Sequence, residues 1–296
     1  MFEAANQGLV GGIDLHAHVI PEVDDGAGGW EESARLLRCA YGQGFRHVVA
    51  TPHFREGQNL QRLQELADRL SGLAKSIATD YEISLGQEIM YFEELPETLR
   101  EGGALTLAKS RYVLTEFLPG DSFSRIYRAV RQLQHASYIP LLAHAERYLC
   151  LRERGRPELL VQSGAHLQVN FRSLAGGGSD RRVRWCRKQV LSGTVRFLAT
   201  DMHNMTARPP DTEDGGGAAG EAGAGKSAIR PEQSDSAAPA NIKNRGKTIM
   251  EKKYEENDEI QIDLMELFLA LKKRIWLLIL AAAAGALASG LYSCLI

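Results

Sequence analysis

Cysteine is scarce and scattered. Only Cys39, Cys150, Cys186 and Cys294 occur in 296 residues, and no two share the C-x-x-C spacing of a zinc clip or a redox couple. They read as reduced thiols of a cytoplasmic domain. An excess of one charge is also missing. With Lys+Arg 35 against Asp+Glu 37, nothing supports a sequence-independent hold on nucleic acid, so no nucleic-acid partner is expected and any phosphate affinity must be local. Residues 1–20 contain no apolar run behind basic residues, so no secretory leader is predicted. No glycine-rich dinucleotide turn follows the first apolar segment, which counts against a doubly wound nucleotide-binding sheet.

What is present, from residue 13 to about residue 204, is an alternation of two textures. Short apolar runs predict strands at Ile13–Leu15, His47–Thr51, Glu82–Leu85, Tyr112–Phe117, Ile139–Ala143, His166–Asn170 and Arg196–Thr200. Apolar spacings of three and four predict helices at Glu31–Tyr41, Leu60–Ile77, Phe123–His135, Pro157–Gln162 and Arg181–Leu191. Strand then helix, repeated about seven times, predicts a parallel α/β fold, and a TIM-like (β/α) barrel over an open sheet.

At residue 209 the texture changes. Pro209-Pro210, Gly215-Gly216-Gly217 and many small polar residues bring almost no large apolar side chain, so 209–249 is expected to be a disordered linker after a domain spanning 1–208. Residues 250–274 read as a cytoplasmic juxtamembrane segment that closes on Lys272-Lys273-Arg274. The stretch 275–296 carries no charge and places Trp276 and Tyr292 towards its ends. It predicts one transmembrane helix of roughly 20 residues with its N-terminal side in the cytoplasm. The expected location is the cell membrane, single-pass, with a cytoplasmic catalytic domain.

Ligand-type residues recur at the ends of the predicted strands. The first runs into Asp14-Leu15-His16-Ala17-His18, where alternation in an extended segment would turn Asp14, His16 and His18 to one side. Asp24-Asp25-Gly26 follows shortly after. The second ends at Thr51-Pro52-His53, the third at Gly86-Gln87-Glu88, the fifth at Ala143-His144-Ala145-Glu146-Arg147-Tyr148, and the seventh at Thr200-Asp201-Met202-His203-Asn204. In a parallel barrel the loops at those ends build the active site. Of the eight histidines, His16, His18, His53, His144 and His203 fall there, while His47, His135 and His166 do not. Imidazole and carboxylate donors together suit manganese, iron or zinc, and so many donors suit more than one ion. Such cations polarise phosphoryl oxygens and make hydroxide available near neutral pH, which is phosphoester hydrolysis without a protein nucleophile. Arg147 and Arg208 flank two of the clusters and suit bidentate contact with phosphate.

Two other patterns carry less. Cys150 and Arg156 have the spacing of a cysteine-dependent phosphatase loop, but Glu153 lies inside it and Gly155 is its only glycine, so coincidence is the preferred reading. Gly220 to Ser227 fits the P-loop pattern formally, without the strand before it or the helix after it that a phosphate cradle needs.

The set D-L-H-A-H, V-D-D-G, T-P-H, G-Q-E-I, A-H-A-E-R-Y and T-D-M-H-N, spread over residues 13–208, resembles the PHP (polymerase and histidinol phosphatase) superfamily. More closely it resembles the bacterial tyrosine-phosphatase branch, the CpsB/CapC type of capsule and exopolysaccharide synthesis. The resemblance implies a distorted barrel of the PHP type with metal ligands His16, His18, Asp25, His53, Glu88, His144, Asp201 and His203 around three ions, typically manganese. It also implies that Arg147 and Arg208 are the catalytic, phosphate-binding arginines. The implied substrate is a tyrosine-phosphorylated bacterial kinase, and the implied setting is the polysaccharide assembly machinery. The C-terminal D-L-M-E-L-F-L-A-L-K-K-R-I-W and the apolar stretch after it are similar to the N-terminus of Wzz-type chain-length regulators, with Met250 as an independent start in a fused or frameshifted frame. The alternatives are a PHP phosphatase of a small ester such as histidinol phosphate, or a membrane-anchored assembly subunit without catalysis.

Overall fold

In the computed structural model the described residues are 11–212. The membrane helix expected at 275–296, the segment 250–274, the Gly220–Ser227 pattern and the linker past Thr212 lie outside them. Among the described residues no helix is long and apolar enough to cross a membrane.

The described residues form eight strands and six α-helices, in a largely alternating order. The strands are β1 (Gly12–Ala17), β2 (Phe45–Ala50), β3 (Glu82–Leu85), β4 (Glu88–Met90), β5 (Tyr112–Glu116), β6 (Ile139–Leu142), β7 (His166–Asn170) and β8 (Phe197–Ala199). The helices are α1 (Trp30–Gly42), α2 (Leu60–Ile77), α3 (Leu95–Arg100), α4 (Phe123–His135), α5 (Arg156–Gln162) and α6 (Arg181–Leu191). Each long helix buries a stripe at helical spacing, as with Leu63, Ala67, Leu70 and Ala74 of α2. Side-chain oxygens of Asn59, Ser122 and Asp180 cap the first turns of α2, α4 and α6, each contributing about 1 kcal/mol.

All strand pairs are parallel and fall into two sheets, β1-β2-β3 and β4-β5-β6-β7-β8. Single parallel bridges link the sheets, Ala17 of β1 to Met202 past β8 and His53 past β2 to Glu88 of β4. The result is a ring of parallel strands interrupted beside β3. Leu15, Val49, Leu107, Leu114, Leu141, Ala143 and Phe197 form the inner core of the ring, and two larger apolar layers lie between the strands and the outer helices.

The structure adds β4 and α3 to the expected elements. The third strand has its expected bounds, Glu82–Leu85, and after Gly86-Gln87 the chain starts a new strand in the other sheet at Glu88. Glycine is required at this junction, because a Cβ on Gly86 would lie 2.8 Å from Leu107 Cδ2 and 3.0 Å from Leu107 Cα. The side chain of the buried Gln87 then ties three segments together, donating to Gln58 Oε1 (2.7 Å) and accepting from the Leu105 N–H (2.9 Å). At the far end the packed chain continues beyond the expected boundary at 208. Thr212 is buried and donates through Oγ1 to Gln43 Oε1 at 2.9 Å.

One expectation for β1 is corrected. Between Asp14 and Ala17 the strand advances three residues while β2 advances two, from Val48 to Ala50. This bulge reverses the alternation of faces. Asp14 therefore does not share a face with His16 and His18. It accepts from the N–H and hydroxyl of Thr200 at the end of β8 (3.1 and 2.5 Å). It also lies near Tyr81 of the layer under α1 and α2, whose phenol is pushed up by burial and by this carboxylate.

Candidate metal centre

The bulge delivers His16 and His18 to one place, with their Nε2 atoms 3.2 Å apart. Their other ring nitrogens are taken. His18 Nδ1 faces Asp24 Oδ2 at 2.8 Å, and His16 Nδ1 faces Gln168 Oε1 at 3.2 Å. His203 follows the same rule, its Nδ1 donating to the carbonyl of Asp201 at 2.9 Å. An imidazole that donates through Nδ1 presents a lone pair at Nε2, so three lone pairs converge on the ring's mouth. His203 Nε2 and His144 Nδ1 are buried without a hydrogen-bond partner.

The carboxylates complete the set. Glu88, buried at the start of β4, has Oε2 3.2 Å from both His16 Nε2 and His18 Nε2 and 3.1 Å from His53 Nδ1. Its Oε1 lies 2.7 Å from His144 Nε2. Asp25 Oδ1 faces His53 (3.3 Å) and His203 (3.5 Å), and Asp201 Oδ1 lies 3.6 Å from His16. Asp24 is distinct from its neighbour: it orients His18 and accepts from the N–H groups of Gly26 and His53. A Cβ on Gly26 would lie 2.3 Å from the His18 carbonyl oxygen, so only glycine lets the acidic turn fold this tightly. His144 and Asp201 both adopt left-handed backbone, φ 33° and 53°, which costs about 1–3 kcal/mol at a non-glycine residue and is held where the site requires it.

All eight ligand candidates fall into overlapping groups whose donor atoms lie within 4.8 Å of one another. These are His18, Asp25, His53 and His203; His16, Glu88 and His144; His16, His18 and Asp201; and His53, Glu88 and Glu116. Glu116 was not foreseen. It ends β5, and burial followed by the charge of Glu88 pushes its carboxyl up.

The electrostatics suit cations. Burial penalises protonated His18, yet the hydrogen bonds it donates to Asp24 and Glu88 push it up to about 10. Burial likewise works against ionised Glu88, but the charge on His16 and bonds from His144, His16 and His18 hold it well below the usual carboxylate range. Acidic groups able to retain positive charge on a buried imidazole are equally able to retain a metal ion, and two Nε2 lone pairs 3.2 Å apart call for a cation or proton beside them. The donor set therefore fits a metal centre.

Both predicted arginines reach it. Arg147 Nη2 lies 3.0 Å from Asp201 Oδ2, and Arg208 Nη2 lies 2.6 Å from Asp25 Oδ2. A third, Arg172, was missed. Its guanidinium contacts the carbonyls of Thr200 and Asp201 (3.5 Å each), and its pKa is lowered by burial and by the charges of Arg208 and Arg147 despite Asp201. The Cys150 loop is not a phosphate cradle. Arg156 donates to the Cys150 carbonyl (3.2 Å) and pairs with Glu153 (2.8 Å), and burial pushes the Cys150 thiol up.

Residues 12–219 match the family model described as capsular polysaccharide synthesis, CpsB/CapC. The chain belongs to this family. Over 209 residues it is 34% identical to tyrosine-protein phosphatase YwqE of Bacillus subtilis, covering 68% of this chain and 81% of YwqE. Over 210 residues it is 32% identical to tyrosine-protein phosphatase CpsB of Streptococcus pneumoniae, covering 67% of this chain and 85% of CpsB. A solved structure from work on YwqE and CpsB, described as unique metal-dependent tyrosine phosphatases, superposes with a TM-score of 0.63 at 31% identity, covering 69% of this chain and 84% of its own. In this CpsB/CapC member Glu116 ends β5, Gln168 lies in the middle of β7 and Arg172 two residues past it, and neither strand's C-terminal end carries a histidine to draw attention.

Proposed function

We propose that this chain is a metal-dependent protein-tyrosine phosphatase of capsule or exopolysaccharide synthesis. The observation that carries this reading is the joining of four overlapping imidazole–carboxylate groups to three guanidiniums at one mouth of a parallel-strand ring. We read the ring as the distorted PHP-type barrel. His16, His18, Asp25, His53, Glu88, Glu116, His144, Asp201 and His203 would hold three ions, manganese first, with iron or zinc compatible with the same donors. When bound, the ions supply positive charge to the phosphoryl oxygens and lower the pKa of a water so that hydroxide is available near neutral pH.

The chain's own residues do the rest. Gln168, Asp24 and the Asp201 carbonyl fix the tautomers of His16, His18 and His203, so the donors are set before substrate arrives. Arg147 and Arg208 exchange their carboxylate partners for phosphate oxygens and orient the ester. The physiological substrate is a tyrosine-phosphorylated kinase of the polysaccharide assembly machinery. The stretch 275–296 anchors the enzyme to the cytoplasmic face of the membrane, a reading that rests on sequence alone.

The test is hydrolysis of a phosphotyrosine peptide and of histidinol phosphate by the full chain, with manganese and with chelator, beside His53→Ala and Cys150→Ser. Manganese-dependent phosphotyrosine turnover that is lost in His53→Ala and kept in Cys150→Ser supports the reading. Activity that ignores chelator and dies with Cys150 overturns the metal mechanism, and preference for histidinol phosphate overturns the substrate.

A further inference from the structure

Glu146 is a buried carboxylate that belongs to none of the candidate metal groups. It stands between two residues of the site, His144 and Arg147, in the loop after β6. Its Oε1 accepts from the backbone N–H of Asn170 at the end of β7 (3.2 Å) and from the hydroxyl of Ser173 (2.7 Å). Those two residues lie on either side of Arg172, in and just before the single turn Phe171–Ser173. The other oxygen, Oε2, is buried with no hydrogen-bond partner among the described residues. A buried carboxylate oxygen left unpaired costs stability, yet the group is kept where its side-chain bonds run to this one turn. Arg152 donates to the Glu146 carbonyl and so holds the carboxylate's own chain.

Arg172 needs such a hold. Its guanidinium touches the carbonyls of Thr200 and Asp201 only at 3.5 Å, and burial and the charges of Arg208 and Arg147 disfavour its charged form. Arg147 lies against the carboxylate of the same Asp201 (3.0 Å), so two guanidiniums meet at one residue and repel each other. Side-chain contacts that long fix Arg172 poorly, and its place is set by the backbone beneath it. We propose that Glu146 is a positioning residue for Arg172: by tying both sides of its turn to the loop after β6, it holds the guanidinium beside Arg147, where both can meet one phosphoryl group. The inference rests on the phosphatase reading above and deepens it. Glutamine at position 146 could accept both bonds through its own Oε1, and alanine could accept neither.

The experiment uses the full chain loaded with manganese. It reads the inhibition constant of inorganic phosphate, KM and kcat for a phosphotyrosyl peptide, and bound metal by elemental analysis. The variants are Glu146→Ala, Glu146→Gln, Arg172→Ala and the double substitution of Glu146→Ala with Arg172→Ala. Glu146→Ala is expected to raise the inhibition constant and KM by on the order of tenfold, the loss of one charge-assisted bond to phosphate, with bound metal unchanged. Glu146→Gln should stay within about threefold of wild type, because both bonds survive. Adding Glu146→Ala to Arg172→Ala should raise the inhibition constant no further, since a residue that acts through another has no effect once the other is gone. Should Glu146→Ala not fold, Ser173→Ala deletes one of the two bonds and gives the same comparison: a rise of about threefold in wild type and none in the Arg172→Ala background. Equal losses in the two backgrounds, unmoved phosphate inhibition with a lowered melting temperature, or loss of bound metal overturns the inference and leaves the phosphatase reading standing. So does Glu146→Gln behaving like Glu146→Ala, since the charge and not the tie would then act. A wild-type chain that turns over no phosphotyrosyl peptide removes the phosphatase reading and this inference with it.

Discussion

Gln168 accepts the Nδ1–H of His16 at 3.2 Å, and on the same oxygen the backbone N–H of His144 at 2.8 Å. Its amide nitrogen donates to Asn170 Oδ1 (2.8 Å), and Asn170 Nδ2 donates to Asp201 Oδ2 (2.8 Å). One buried chain of amides on β7 thus orients candidate ligands from β1, β6 and the loop after β8. Loss of such a partner typically weakens metal binding roughly 10–100-fold. Gln168→Leu is expected to fall in that range in a manganese titration, whereas Gln168→Glu keeps the acceptor, loses the donor to Asn170 and should fall less. Wild-type manganese affinity in Gln168→Leu would show that His16 needs no outer partner.

Glu116 should behave as a ligand although it sits only partly buried. It shares a group with His53 and Glu88, and its register partner on β4 is Met90, which places it at the same height as the mouth. Replacing it by glutamine removes charge and keeps shape. The bound-metal stoichiometry of Glu116→Gln, measured by elemental analysis, is expected to drop by one ion, with kcat reduced at least tenfold. Full stoichiometry together with full kcat would remove Glu116 from the centre.

How far the site was legible follows from these residues. Strand ends marked by histidine were readable, because five imidazoles at four separate ends have few bland explanations. Those of β5 and β7 carry glutamate, glutamine, asparagine and arginine, residue types common on any loop, and nothing local distinguishes them. The parallel α/β alternation was readable from periodicity. The bulge in β1 and the passage of the chain through Gly86-Gln87 into a new strand of the other sheet were not, because both depend on long-range contacts: Asp14 bonds to Thr200, and Gly86 lies against Leu107. Period-two alternation assumes an unbroken strand, so it placed Asp14 on the wrong face.

Arg172 is expected to act on phosphate together with Arg147 and Arg208. Charge-assisted hydrogen bonds contribute about 1.5–3 kcal/mol, so Arg172→Ala should raise the inhibition constant for inorganic phosphate by on the order of tenfold or more. Arg172→Lys should recover part of this, since an ammonium keeps charge and loses the fork. A purely structural role, through the 3.5 Å contacts to the Thr200 and Asp201 carbonyls, would instead lower thermal stability and leave phosphate inhibition unmoved.

Asp14 makes stability depend on pH in a defined direction. Burial raises its pKa from 3.8 to about 6, against the hydrogen bonds from Thr200 and His16 and the charge of His16. Below about pH 4 the carboxyl is protonated in both folded and unfolded chains and carries no penalty. Between about pH 4 and 6 the unfolded chain releases the proton while the fold retains it, so rising pH removes stability. Above about 6 the full penalty remains, on the order of 3 kcal/mol. Asp14→Asn keeps shape and the contacts to Thr200 while abolishing titration. Urea unfolding of metal-free protein should therefore show the variant gaining on wild type as pH rises from about 4 to 6, then holding a constant difference. Parallel curves for the two proteins across that interval would mean that the fold accepts the ionised carboxylate without penalty, and that the short bond from Thr200 fully offsets its burial.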